Sequence, residues 1–184
     1  MRVAVLGISG SGKTTFATRL ADATGMDQVE LDLLNWRPEW VSRYEVDFDG
    51  LARDLDEALE AERWVVAGGY SKLRDRILMR ADTVVWLALP KWQVMWQVFW
   101  RSFHRAITRQ PMLNGNVETF ARWRLAGHPI QIAWLHYRRK RKQVGDLLAH
   151  PRYSHLKVYR CENRRAVKQT LNVLTAAAVS QSTN

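Results

Sequence analysis

Near the start of this 184-residue chain, Gly7-Ile8-Ser9-Gly10-Ser11-Gly12-Lys13-Thr14 fits G-x-x-x-x-G-K-[ST] in full. Residues of these types at this spacing hold a polyphosphate. Glycines at 7, 10 and 12 let the backbone turn and approach an anion that a Cβ would keep away. Successive N–H groups of Ser9 to Thr15 then converge on phosphate oxygens at a helix N-terminus. The Lys13 ammonium reaches the β- and γ-phosphates, and the Thr14 hydroxyl is a ligand for Mg²⁺. The flanks agree: "RVAV" is a run of β-formers, and "KTTFATRLADATG" carries Phe16, Leu20 and Ala23 on one helical face before Gly25.

A kinase or NTPase built on such a loop also needs carboxylates at the carboxyl ends of parallel strands. The second strand, "QVELD", is expected to end in Asp32. Asp32 is therefore the candidate either to hold a Mg²⁺-bound water or to take a proton from a substrate hydroxyl. The third strand ends in Ala67-Gly68-Gly69 and the fourth in Leu87-Ala88-Leu89-Pro90, neither with an acid. Asp82 falls at the amino end of the fourth strand, away from the site. Gly68-Gly69-Tyr70 is read either as a close approach for a ligand or as a plain turn. Trp36, Trp40 and Tyr70 offer stacking surfaces, and Arg74 is a candidate for an acceptor phosphate.

Phosphoryl transfer also needs fixed positive charge, which arginine supplies well. Arg101, Arg105 and Arg109 stand four apart on one helix, and Arg138, Arg139 and Arg141 follow on a second. They form either a lid over a triphosphate or a solvated basic face. Residues 1–90 hold 11 Lys/Arg against 15 Asp/Glu, whereas residues 91–184 hold 17 against 3. The basic half, with "HYRRKRK", makes nucleic acid a rival partner. A switch GTPase is disfavoured: Asp47-Phe48-Asp49-Gly50 matches D-x-x-G in letters but follows no strand, and no Asn-Lys-x-Asp exists.

These residues require elements to position them. Five β-runs alternate with helical patterns, so we expect an α/β fold: a five-stranded parallel sheet with helices on both faces. One domain is expected over 1–180, with a helical insertion at about 101–142. "LNWRPEWVSRYEVD" reads as loop or broken helix. After Lys91, Trp92, Trp96, Phe99 and Phe103 fall at the spacing of a buried stripe, and a second helical stretch runs from about Val117 to Leu148, weakened at Gly127. The tail "SQSTN" is expected to fray. Met1 leads straight into a strand, no run of about 20 apolar residues occurs, and there is one cysteine, Cys161. A cytoplasmic protein without a membrane partner is expected.

The sequence resembles the small bacterial P-loop kinases related to adenylate and shikimate kinases, in particular the branch often labelled topology-modulation-protein-like or adenylate-kinase-like. The resemblance rests on "GISGSGKTT", "LDLLNW" and "WVVAGGYSKLRDRILMRADTVVWLALP" and extends to about residue 175. It implies a three-layer P-loop NTPase fold, ATP as donor with Mg²⁺, and transfer to a small acceptor, a nucleotide or nucleoside. It assigns phosphate and Mg²⁺ contacts to Gly10, Gly12, Lys13 and Thr14, an acceptor or metal role to Asp32, and lid roles to Arg101 and Arg105. Two acids usual in that branch are replaced here, by Ala67 and Ala88. A nucleotide-gated regulatory protein and a simple ATPase are the alternatives.

Overall fold

The computed structural model describes residues 1–125 and 128–182. Gly127 and the last two residues of the tail lie outside the described residues. The elements, in order, are β1 (Arg2–Gly7), α1 (Lys13–Thr24), β2 (Asp27–Glu30), α2 (Leu31–Asn35), β3 (Trp36–Arg37), β4 (Val41–Ser42), α3 (Arg43–Val46), α4 (Phe48–Ala58), β5 (Trp64–Ala67), α5 (Arg74–Leu78), β6 (Thr83–Leu87), α6 (Lys91–Thr108), α7 (Pro129–Leu148), β7 (Lys157–Cys161) and α8 (Arg164–Ser182). Short 3₁₀ turns occupy Pro38–Trp40, Ser71–Leu73, Phe120–Arg124 and Pro151–Tyr153.

Five strands form one parallel sheet in the order β2-β5-β1-β6-β7, while β3 and β4 make a small antiparallel pair. Every residue of β5 and β6 is buried, as expected of a sheet covered on both faces. Alternate residues of β1 serve opposite layers. Val3 and Val5 pack with Phe16 and Leu20 of α1 and Leu174 of α8. Ala4 and Leu6 pack with Leu51 and Leu55 of α4, Ile77 and Leu78 of α5, and Val144 of α7. The result is the expected three-layer α/β sandwich.

Three local expectations are corrected. β2 ends at Glu30, whose register partner is Ala67, and Asp32 lies in the first turn of α2 instead of on the strand. The second insertion helix begins at Pro129, not near Val117. Leu113, Asn114 and Gly115 take left-handed conformations that interrupt a helix. His128 then caps α7, its Nδ1 accepting from Ile130 N, with Pro129 at the first helical position.

The third correction concerns α6. Its buried stripe is Val94, Val98, Ser102 and Ala106, while Trp92, Trp96 and Phe99 are exposed. The cause is a close approach of α6 to the glycine loop. A Cβ at Gly10 would come within 2.8 Å of the Val98 Cβ and 3.3 Å of the Val94 carbonyl. Only small side chains fit there, so the indoles turn outward. The D-x-x-G at 47–50 is a helix cap: the Asp47 side chain accepts from Gly50 N and starts α4.

Candidate active site

The loop between β1 and α1 sits at the centre of the sheet's carboxyl edge. Gly10 and Gly12 have φ of 83° and 92°, and Gly12 is the N-cap of α1. Ser11 N donates to Ile8 O at 3.1 Å and closes the turn. The first-turn amides of α1 have no intrahelical acceptor and face outward as an anion-binding rim. Gln97 of α6 braces the loop, its amide nitrogen 2.7 Å from Gly10 O and its oxygen 3.3 Å from Arg164. Lys13 Nζ lies over the loop and donates to Ile8 O at 3.1 Å. Burial lowers its ammonium to about 8; Asp32 and Glu30 oppose that shift and Arg101 adds to it. The lysine is thus in electrostatic range of all three.

Thr14 Oγ1 donates to Glu30 Oε1 at 3.1 Å. Glu30 has a raised pKa, chiefly from burial, although the Thr14 hydrogen bond and both Arg105 and Arg101 work the other way. The acid beside the Thr14 hydroxyl is therefore Glu30. Asp32, expected from sequence to share the metal with Thr14, accepts a hydrogen bond from Tyr70 Oη at 2.9 Å. Burial and Asp32 raise the Tyr70 pKa far above its usual value, so the phenol remains a donor to Asp32. Gly68 is explained by packing: a Cβ there would lie 2.5 Å from the Leu31 Cβ. Gly69 adjoins open space. Backbone approach for a ligand is therefore available at Gly69 and filled by Leu31 at Gly68.

Arg101 and Arg105 project from the inward side of α6 toward the two acids. Burial and Arg105 both lower the Arg101 pKa, while Glu118, Asp32 and Glu30 raise it. Its Nε is buried without a hydrogen-bond partner. A guanidinium stays charged in proteins, so this is positive charge held in a partly desolvated place, which favours an anion beside it. Arg105 approaches Glu118 at 4.0 Å, and Glu118 Oε1 lies 3.1 Å from His128 Nε2. Burial alone would raise the Glu118 pKa, but the bond to His128 and the charges of His128 and Arg105 bring it below the usual value.

The loop 112–118 grips the segment that follows Asp32. Asn116 accepts from Trp40 N at 2.7 Å and donates to Arg37 O at 2.8 Å. Asn114 donates to Leu33 O and Trp36 O at 3.0 and 2.7 Å. Glu39 and Trp40 both have positive φ, a strained turn that these bonds hold in place. The Arg122 guanidinium lies 4.5 Å from the Trp40 ring centre, and Trp36 meets Trp40 edge-on at 5.6 Å.

The fold recurs in known structures. The chain aligns over 98% of its length with all of a deoxyadenosine kinase from M. mycoides, at TM-score 0.56 and 12% identity. It aligns over 98% with 93% of a shikimate kinase from Acinetobacter baumannii, at 0.54 and 15%. The chain has the fold of a small P-loop kinase. A further neighbour is a gluconokinase from Sinorhizobium meliloti 1021, at 0.50 and 18%, covering 98% and 95% of the two chains. Among curated proteins, one named "Putative adenylate kinase" from Methanocaldococcus jannaschii is 30% identical over 77 residues, which is 38% of this chain and 44% of that one. The chain thus matches less than half the length of that relative. No family model matches.

Within this P-loop kinase fold, Gly7, Ser9, Gly10, Ser11, Gly12, Lys13, Thr14 and Thr15 lie on one loop and helix start, and Asp32, Tyr70, Arg101 and Arg105 converge on it. The other candidate arginines do not. Arg141 is bound to Tyr137 Oη and to Glu162 at 2.8 and 3.0 Å, so it does not meet Arg101. Arg138 is exposed beside Arg139 on the outer side of α7, and Arg109 ends α6 exposed with φ 49°. Arg74 lines an open groove of about 570 Å³ between α5 and α7 with Lys140 and Arg152. Glu30, Asn114, Asn116 and Glu118 are the residues that sequence reasoning missed. Only Glu30 had a signal: it is an acid two residues before Asp32.

Thr14, Glu30 and Asp32 suit Mg²⁺, since a hydroxyl and carboxylates are hard oxygen donors. Among the described residues no cluster of three or more His, Cys, Asp or Glu forms.

Proposed function

We propose that the protein is an ATP-dependent phosphotransferase that moves the γ-phosphoryl group to a small acceptor, a nucleotide or nucleoside. One observation carries this reading. A phosphate-binding loop with Lys13, a Thr14–Glu30 pair, a separate Asp32–Tyr70 pair and Arg101 with Arg105 converge on one edge of the sheet. The two carboxylates are held by different partners, which suits two different tasks.

In this proposal the loop amides and Lys13 bind the β- and γ-phosphates. Thr14 and Glu30 hold Mg²⁺, which neutralises phosphate charge when bound. Glu30 stands in register with Ala67, so it replaces, from the neighbouring strand, an acid missing from β5. For a nucleoside acceptor Asp32, oriented by Tyr70, accepts the hydroxyl proton as that oxygen attacks the γ-phosphorus and the bond to the leaving ADP breaks; a nucleotide acceptor attacks through an ionised phosphate oxygen and needs no such proton transfer. Arg101 and Arg105 stabilise the charge on the transferring group. The open space at Gly69 and the rings of Trp36 and Tyr70 give the acceptor its place.

The test is labelled ATP with Mg²⁺ and a panel of nucleosides, nucleoside monophosphates and hydroxy acids such as shikimate and gluconate. Label in a nucleoside or nucleotide supports the proposal. Label in a hydroxy acid alone overturns the acceptor assignment. Free phosphate alone, or binding without turnover, overturns the kinase reading.

A further inference from the structure

The outward face of the α6–α7 hairpin is apolar to a degree that the site chemistry does not explain. Trp92, Trp96 and Trp100 on α6 are 71%, 60% and 47% exposed, and Trp134 and Leu135 on α7 are 60% and 66% exposed. Phe99, Ile107, Phe120 and Leu125 extend the exposed set along α6 and the 3₁₀ turn after it. On α6 the rings join edge to face: Trp96 meets Trp100 at 5.5 Å, and Trp100 meets Phe103 at 5.7 Å. Contiguous patches of this kind mark contact surfaces.

The charge around the patch says what covers it. Between Lys91 and Gly145 the chain holds 11 Lys/Arg and one acid, Glu118, which is buried. The next acid, Asp146 near the end of α7, is exposed and pairs with Lys142 at 2.6 Å. The cations include Lys91, its ammonium 4.2 Å from the Trp134 ring centre, and Arg138 and Arg139, exposed along α7. Arg101 and Arg105 turn inward, so the outer face of α6 from Trp92 to Ile107 carries no Lys or Arg.

We propose that this face docks on an anionic lipid bilayer, with the tryptophans at headgroup depth and the α7 cations on lipid phosphates. Indole rings favour the membrane–water boundary, and a helix with an aromatic face flanked by basic residues lies in the interface plane. Anionic headgroups attract such cations. Two other occupants fit less well. A single-stranded nucleic acid needs ring faces on which its bases stack, and Ile107, Leu125 and Leu135 offer none. A second copy placing the same face against this one would oppose two surfaces of the same strong positive sign. No helix of the described residues is long and apolar enough to cross a membrane, so the contact is interfacial. This departs from the expectation, based on the lack of a spanning run, that no membrane partner exists.

The experiment is flotation of the full chain with vesicles of phosphatidylcholine alone or phosphatidylcholine and phosphatidylglycerol in equal parts. We expect binding to the mixed vesicles, at least about tenfold weaker binding to phosphatidylcholine alone, and a loss of similar size for the double variant Trp96→Glu/Trp100→Glu. Arg139→Gln should reduce only the response to anionic lipid. An unchanged circular dichroism melt establishes that the double variant folds; if it does not, Trp134→Glu is read in its place. No binding to mixed vesicles, or binding that survives the tryptophan variants, overturns the proposal. So does oligonucleotide binding or self-association that these variants abolish while lipid binding is absent.

Discussion

At the scale of single residues, the two carboxylates divide the work. Asp32→Asn removes the proposed proton acceptor but leaves the phosphate loop intact. Turnover of a nucleoside acceptor should fall by about 10²- to 10⁴-fold while the affinity for Mg·ATP changes little. Glu30→Gln should instead raise the Mg²⁺ concentration needed for half-maximal binding, measured by calorimetry in a Mg²⁺ series. Lys13 gives a pH prediction. Its folded-state value of about 8 lies below the ordinary 10.5. Between those values the unfolded chain binds the extra proton, so Lys13 destabilises the empty protein below pH 8 and that cost is relieved as the pH rises through the window. Polyphosphate favours the charged ammonium. Affinity for Mg·ATP should therefore fall above about pH 8, by up to tenfold per unit, with proton uptake visible in buffers of different ionisation enthalpy. Lys13→Ala should abolish both effects. Lys13 and Thr14 were legible in sequence because the loop motif is local. Glu30 was obscured because the strand was expected to run two residues further.

At the scale of elements, the insertion acts as a clamp on the acceptor side. Asn116 is buried and bridges Trp40 N, Arg37 O and Leu113 O. Removing its amide leaves those groups without a partner, a loss of about 1–3 kcal/mol. Asn116→Ala should lower Tm by several degrees. It should also raise the KM for the acceptor more than that for ATP, because the bonds hold Arg37 and Trp40, which follow Asp32. Equal effects on both KM values would show a merely structural role. The pairing was invisible in sequence, since 76 residues separate Trp40 from Asn116. The α6 stripe failed for a related reason. Periodicity picks out a helix's apolar face, but α6 has large aromatics on one side and small residues on the other. Which side packs inward was decided by the bulk that the glycine loop could admit.

At the scale of the whole molecule, nucleotide binding links to global stability. A ligand held by β1, α1, β2 and α6 stabilises the folded state alone. At about 100 times its Kd, Mg·ATP should add about 2.7 kcal/mol, read as a rise in Tm that Lys13→Ala removes. By itself the sequence determined the alternation of strands and helices, the parallel sheet and the phosphate loop. These follow from local periodicity and from glycine spacing, which neighbours in the chain suffice to specify. Tertiary structure alone decided which acid meets Thr14, which arginines reach the site and which face of α6 is left to solvent. Each depends on where a strand stops or on how closely two backbones approach, and those distances are set by residues far apart along the chain.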